Sequence, residues 1–297
     1  MNKICVTGAS GFVGSHLVPV LLSGGFKVTA LIRSQNEKRL VNSQAELVIG
    51  DLAQNGLWQS KIKGQDIIVH LAAEISSKNP ESFERNNVKA TQNLIHAAKK
   101  AKVKKIILFS SAAVTSIRKD MYAQTKELQE KIIIKSGIDY VILRPSMIYG
   151  PGDTKNIGWL IKIISKLPAI PLPGGGHFGR QPIFVVDICK IVLKLIAKNY
   201  GKKIFEIHGI EYVPMWKMIK VITKRMKKSK LTFPIPIFFL KASFWVLEKI
   251  LPNPKFTSDQ IDSLTSGEKF KGDQWPEIFD IIPTGFEAGI NKMIPKK

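Results

Sequence analysis

Cysteine is nearly absent from this chain. Cys5 and Cys189 are the only two in 297 residues, one in a predicted strand and one in a predicted apolar helix. That excludes a disulfide framework and a thiolate metal cluster, and leaves two buried free thiols. Long apolar runs are missing too: no uninterrupted stretch reaches the roughly 20 residues that a bilayer-spanning helix needs. A glycine turn lies where an apolar leader would be, so no signal peptide is expected and the cytoplasm is the expected compartment. Acidic residues are few, 23 against 45 lysines and arginines, for a formal net charge of +22. Such a charge invites a nucleic-acid partner, but only 7 of the 45 are arginine, and base-edge and phosphate recognition lean on arginine forks. The excess is also evenly spread, with 21 basic and 11 acidic side chains in residues 1–150 against 24 and 12 in residues 151–297. No nucleic acid is expected. The lysines read as solvated faces, with attraction to an anionic ligand or a membrane surface as the alternative.

What the chain does have is a glycine turn close to its N-terminus, Val6-Thr7-Gly8-Ala9-Ser10-Gly11-Phe12-Val13-Gly14-Ser15-His16-Leu17. Lys3 to Thr7 reads as a short buried strand, and Phe12, Val13, Leu17, Val20 and Leu21 begin a helix. Strand, glycine turn and helix together form a phosphate cradle: glycines admit a diphosphate close to the backbone, and the helix N-terminus points unpaired N–H groups at it. Pro19 lies inside that helix, removes a backbone bond to Ser15, and predicts a local bend.

Further strands are predicted at Lys27 to Ile32, Glu46 to Ile49, Asp66 to His70 and Lys104 to Ser110, with a long helix from about Glu81 to Lys100. Strands alternating with helices mean a parallel, doubly wound sheet. Arg33 ends the second strand, where a carboxylate would grip the adenosine 2′-hydroxyl and an arginine accommodates a 2′-phosphate. NADP(H) is therefore favoured, with NAD(H) open. Asp51 is placed to accept from the adenine amino group, or else to cap the short helix that follows. Leu71-Ala72-Ala73 is small enough for a ligand to lie across the strand end. His70 packs or bonds locally, and Asn87 either reaches an active-site carbonyl or ties two elements together.

The chemistry gathers at Ser110-Ser111, at the carboxyl end of the fifth strand, and at Tyr122 and Lys126 on the next helix. Tyrosine and lysine four apart share a helical face. An unperturbed phenol, pKa about 10, is a poor base at neutrality, and a neighbouring positive charge is expected to draw it down. The phenol then gives or takes a proton while a nicotinamide exchanges hydride with the carbon.

Gly8, Gly11 and Gly14, Asp51-Leu52, His70 to Ala73, Asn87 to Asn93, Ser110-Ser111, Tyr122 and Lys126, and Leu143 to Gly152 together resemble an extended short-chain dehydrogenase/reductase, of the NAD-dependent epimerase/dehydratase superfamily. The resemblance covers most of residues 1–200. It implies catalytic Ser111, Tyr122 and Lys126. Cofactor contacts are implied from Gly8, Ser10, Gly11, Phe12, Val13, Gly14, Arg33, Asp51, Leu52, Leu71, Ala72, Ala73, Tyr122, Lys126, Pro145 and Ile148. Substrate contacts are implied from Glu74, Ser111, Met147 and Arg180, and no metal.

Two features depart from the sugar-nucleotide members. Only about ten residues separate Ser111 from Tyr122, and Met147 stands where many of them carry an asparagine. Arg180 is similar to the arginine with which they grip a diphosphate, or is a surface arginine at a strand start. The run from Ser136 to Asp187 also resembles an atypical subgroup related to the nucleotide-binding accessory subunit of respiratory complex I, whose members need not turn over a substrate.

The expected architecture is an α/β Rossmann domain, residues 1–209, with residues 151–181 contributing to the substrate side, and a smaller, mainly helical C-terminal substrate lobe, residues 210–297. Pro168 to Gly176 reads as a loop, Ile183 to Val186 as a return to the sheet, and the chain from Val213 as helical. Met215, Ile219, Ile222 and Met226 form an apolar stripe opposed by lysines, and Ile237 to Leu251 a second apolar helix. The pair forms a lid over the substrate or rests on anionic lipid. The expected function is reversible hydride transfer at a carbinol or ketone of an anionic small molecule, a nucleotide-linked sugar first. The alternatives are a non-catalytic NADPH-binding subunit and a reductase of an isoprenoid- or quinone-like carbonyl at a membrane surface. A peripheral membrane contact and a homodimer stay open. Asp120 is the one carboxylate between Ala112 and Met121, which counts against a dehydratase.

Overall fold

The computed structural model describes residues 2–77, 79–117, 119–239, 242, 267 and 269–295. They divide into two compact units, Met1–Ser146 with Val185–Ile207 and Gly272–Ile282, and Met147–Phe184 with His208–Lys271 and Pro283–Lys297.

The first unit is built on seven strands: β1 (Lys3–Thr7), β2 (Lys27–Ile32), β3 (Glu46–Ile49), β4 (Ile67–His70), β5 (Lys105–Phe109), β6 (Asp139–Pro145) and β7 (Lys203–Ile207). They form one sheet in the order β7-β6-β5-β4-β1-β2-β3, parallel throughout. Parallel neighbours require crossovers, supplied here by α1 (Phe12–Ser23), α2 (Ala90–Lys100), α3 (Met121–Ile134) and α4 (Val185–Ala197). The strands read as continuous apolar runs because both faces are covered, and β4 and β5 are buried at every residue. Cys5, Leu31, Ile68, Ile106 and Leu108 pack with Leu94 and Ala98 of α2 and Ile133 of α3 in one buried cluster. Each such leucine or isoleucine contributes about 1.5–3 kcal/mol. Chain order reverses on either side of β1, which pairs with β2 and β4. Open sheets bind ligands at that crevice.

Several predicted elements differ. The helix expected over 81–100 has three parts, an α-helical turn at Pro80–Phe83, a π-helical stretch at Glu84–Lys89 and then α2. Ile183–Phe184 does not rejoin the main sheet but pairs with Ile148–Tyr149 in the second unit. The sheet edge is taken by β7, with Phe205 and Ile207 buried and Ile204 exposed. Helix α1 runs unbroken through Pro19. Both cysteines are buried free thiols, and burial pushes each up to about 12, out of reach of thiolate chemistry at neutral pH.

The second unit is not a purely C-terminal lobe. It takes in residues 147–184, and short ladders join its helices, Ile157–Lys166, Met215–Arg225 and Phe286–Met293. Gly179–Arg180 pairs antiparallel with Val213–Pro214. Ala169–Pro173, expected as loop, pairs parallel with Leu231–Ile235, expected near a helix. Prolines are tolerated in so narrow a ladder because few of its N–H groups need a partner strand. The apolar stripe on Met215–Arg225 buries Met218, Ile219 and Ile222. Residues 237–239 are helical, and most of the expected helix to Leu251, Lys241 and Glu248 included, lies outside the described residues. Among the described residues, no helix is long and apolar enough to cross a membrane.

Candidate active site

The glycine turn closes on the sheet through contacts that only glycine allows. Gly8 has φ +68°, and a Cβ there would lie 2.8 Å from the Ala72 amide nitrogen. At Gly14 a Cβ would lie 2.5 Å from the Gly8 carbonyl oxygen. Ala72 in turn donates its N–H to Thr7 Oγ1 at 3.3 Å, and Leu71 donates to the Thr7 carbonyl at 3.2 Å. Thus the turn and the Leu71 to Ala73 segment, separate in sequence, are packed together at the ends of β1 and β4. Gly11 caps α1 without a side-chain hydrogen bond, so the first N–H groups of that helix keep no side-chain acceptor. These residues fit a diphosphate, and Phe12 and Val13 are half-buried behind them.

On the adenosine side, Arg33 is exposed just past β2. Asp51 accepts from the Ala53 amide at 2.9 Å and pairs with Arg85. It does not cap the next helix, Trp58–Lys61, whose N-cap is Leu57. Burial pushes the Asp51 carboxyl up, but the bonds from Arg85 and Ala53 and the charges of Arg85 and Arg33 outweigh it, leaving the group below its ordinary range. Leu52 turns its side chain into the core. One residue here escaped the sequence reading: Glu37, in the turn after β2, accepts a hydrogen bond from the Ser10 hydroxyl. Nothing in the local pattern marks it, because the contact crosses 27 positions.

Ser111 follows β5, and its Oγ accepts from the Ala113 amide at 3.2 Å. Asp120 caps α3, accepting from the Ala123 amide at 2.8 Å, which sets Tyr122 in the first helical turn. The Ser111 hydroxyl lies near the Tyr122 phenol and favours its ionised form. Lys126, fully buried, donates from Nζ to the Phe109 carbonyl at 2.5 Å. Burial drives the lysine down to about 7, with Glu130 opposing. The expected lowering of the phenol is not found. Burial pushes Tyr122 up, the Ser111 hydroxyl draws it down, and the Asp120 charge raises it further. Lys126 has turned toward a backbone carbonyl and is itself half neutral near pH 7, so it offers the phenol little positive charge.

Beneath this group lies a partly buried ionic chain, centred on buried Glu130, that the sequence reading also missed. Ser110 donates to Glu130, Arg144 binds both Glu130 oxygens at 2.9 and 2.6 Å, and Arg144 also reaches Glu206 at 2.8 Å. It links β5, α3, β6 and β7. Asn87 ties elements together. It accepts from the Glu74 amide at 2.7 Å and donates to the Glu74 carbonyl and to Thr125 Oγ1, each at 3.0 Å. The carboxylate of Glu74 takes a bond from Asn86 at 3.3 Å. His70 bonds Thr7 and Thr91 at 2.7 and 3.0 Å, and burial lowers it to about 3, so it is a neutral packing residue.

Pro145 closes β6 in the first unit, whereas Ile148, Met147 and Arg180 belong to the second. There Met147 and Arg180 line one pocket of about 270 Å³.

Residues 4–207 match the NAD dependent epimerase/dehydratase family. The chain belongs to that family. Among curated relatives of this family member, a putative dihydroflavonol 4-reductase from Synechocystis sp. is 34% identical over 274 residues, 83% of this chain and 79% of that protein. A ceramide reductase from Caulobacter vibrioides is 31% identical over 170 residues, 57% of this chain and 53% of its own, so the chain spans about half the length of that relative. A UDP-glucose 4-epimerase from Vibrio cholerae is 26% identical over 271 residues, 81% and 80% of the two chains. The solved structure titled gox2253 superposes with TM-score 0.81 at 22% identity, over 99% of this chain and 97% of the other, and so shares the fold. With the family, a nicotinamide dinucleotide is the cofactor that the glycine cradle accommodates.

Proposed function

We infer that this epimerase/dehydratase family member is an oxidoreductase that exchanges a hydride and a proton between its dinucleotide and a secondary alcohol or ketone. The observation that carries the reading is the placement of Ser111 just past β5 and of Tyr122 and Lys126 one turn apart on α3, with the Ser111 hydroxyl acting on the Tyr122 phenol. When bound, the dinucleotide supplies or accepts the hydride. Ser111 holds the substrate oxygen. In the oxidative direction the phenolate of Tyr122 takes the hydroxyl proton as the carbon loses its hydride. In the reductive direction the phenol returns that proton to the forming alkoxide. Lys126, released from the Phe109 carbonyl, binds the cofactor ribose and supplies the positive charge that holds the phenolate. Asp120 is engaged as a helix cap, which leaves the stretch between Ser111 and Tyr122 without a free carboxylate for dehydration.

The cofactor preference we propose is NADP(H), on the strength of exposed Arg33 at the end of β2. For the substrate, a nucleotide-linked sugar has the support of the Vibrio epimerase and of Arg180, whereas a non-sugar carbonyl has that of the ceramide and dihydroflavonol reductases. A purely structural dinucleotide-binding subunit has no need of Ser111, Tyr122 and Lys126 together. Replacement of Tyr122 by Phe tests the reaction. Turnover is expected to fall about 10²–10⁴-fold with the cofactor Kd within about twofold, the size of effect that a positioned acid/base supplies. Undiminished turnover would overturn the assignment.

A further inference from the structure

The pocket of the second unit has an unusual lining for a family that handles sugars. Met147, Ile157, Leu160, Phe178, Met215 and Met218 form most of its wall, with Trp159 at its edge. The polar side chains are Lys155, Asn156 and Arg180. Asn156 donates to the Ile148 carbonyl at 3.3 Å and Arg180 to the Gly179 carbonyl at 3.1 Å; Lys155 and Arg180 bring positive charge to the lining. Ile157 and Met218 are buried, whereas Met147, Leu160, Phe178 and Met215 are half-buried and present surface to a ligand. Its size, about 270 Å³, lies at the lower end of small-molecule sites, roughly 300–1,000 Å³. It holds one segment of a ligand.

This lining discriminates between ligand chemistries. A sugar or a nucleobase brings hydroxyl, carbonyl and amino groups that need partners, and such groups buried against methionine and phenylalanine lose their water without compensation. An alkyl, isoprenoid or polycyclic body loses nothing there, and flexible methionines shape themselves to it. The two cations add a preference for negative charge, and guanidinium forks bind carboxylate or phosphate alike.

We propose that this pocket takes the apolar body of the substrate, a lipid-like alcohol or ketone whose anionic group meets Arg180. The assignment rests on the hydride-transfer reading for its word substrate, and on the lining alone for its ligand class.

The test is an equilibrium titration of the full chain with 8-anilinonaphthalene-1-sulfonate, an apolar fluorophore with one negative charge. Saturable binding is expected, displaced by dodecanoate and not by UDP-glucose at equal concentration. Met147→Gln and Met215→Gln keep side-chain size and are expected to weaken it at least fivefold. Met147→Leu, which keeps the apolar character, is expected to bind as the parent does. Arg180→Gln is expected to weaken the sulfonate probe while leaving the uncharged N-phenyl-1-naphthylamine unaffected. Displacement by UDP-glucose rather than dodecanoate, or parental affinity in both glutamine variants, would overturn the proposal. Tyr122→Phe is expected to bind the probe normally, which separates the two readings. Full turnover in that variant removes the hydride reading, whereas the titration decides the ligand class by itself.

Discussion

The two units hold their functional side chains by different means. In the first, groups are fixed by directed bonds: Ser111 by the Ala113 amide, Lys126 by the Phe109 carbonyl, and Glu130 by Ser110 and Arg144. In the second, the pocket is an area of methionine, leucine and phenylalanine with two cations in its lining. Directed bonds define one geometry, as proton and hydride transfer demand. A wall of flexible apolar side chains tolerates many shapes of the same chemistry. On the proposed reading, reaction type belongs to the first unit and substrate range to the second.

The largest expected effect comes from cutting the first unit's ionic chain. Glu130→Ala leaves Ser110 without its acceptor and strips Arg144 of its two-oxygen partner, although Glu206 remains. Breaking a buried pair from one side costs about 3–5 kcal/mol, and the lower end is expected here, read from the urea midpoint at constant slope. Met215→Leu, a volume-conserving change in the half-buried pocket wall, is expected to cost under about 1.5 kcal/mol. Equal losses in the two variants would erase the contrast.

Next in size is a pH-dependent effect at Lys126. Its ammonium titrates near 7 in the fold against about 10.4 in an unfolded chain. Between those values the unfolded chain binds a proton that the native protein does not, so stability of the cofactor-free protein rises with pH across that window. Below about 7 the cost of burying the charge is fully present. Lys126→Met removes the titration. Its stability relative to the parent is expected to be most favourable at pH 6, and to lose on the order of 2 kcal/mol of that advantage by pH 10. Denaturant unfolding at the two pH values measures it, and a constant difference would mean that the lysine is not buried as a titrating group.

Most of the first unit is legible from local pattern. Apolar runs place five of the seven strands to within a residue or two, β6 (Asp139–Pro145) not being among them, and the glycine turn announces its own ligand class. Ser111, Tyr122 and Lys126 are legible because strand end and helical spacing are local properties. The seventh strand is not, because Lys203–Ile207 alternates on an exposed edge and resembles a surface turn. The second unit resists reading because its ladders are two or five residues long and several carry proline. The Ser10–Glu37 and Glu130–Arg144–Glu206 contacts are invisible for another reason. These contacts cross 14 to 62 positions, in a chain where 68 charged side chains offer many pairings.

The smallest expected effect concerns cofactor choice, and it sharpens the first unit's side of the contrast. Two opposite charges stand near the β2 end. Arg33 favours a 2′-phosphate, whereas Glu37, bonded to Ser10 of the glycine turn, repels one and can accept from a free 2′-hydroxyl. Glu37→Gln keeps a hydrogen-bond acceptor and removes the charge, so the NADPH-to-NADH ratio of kcat/KM is expected to rise several-fold. Arg33→Ser is expected to lower the same ratio by a similar factor. Arg33 is exposed, so its effect should shrink as salt is raised from 50 mM to 500 mM, where screening shortens to within a few ångströms. An unchanged ratio in Glu37→Gln beside a lowered one in Arg33→Ser would assign the carboxylate to holding the turn, and leave the arginine alone to read the phosphate.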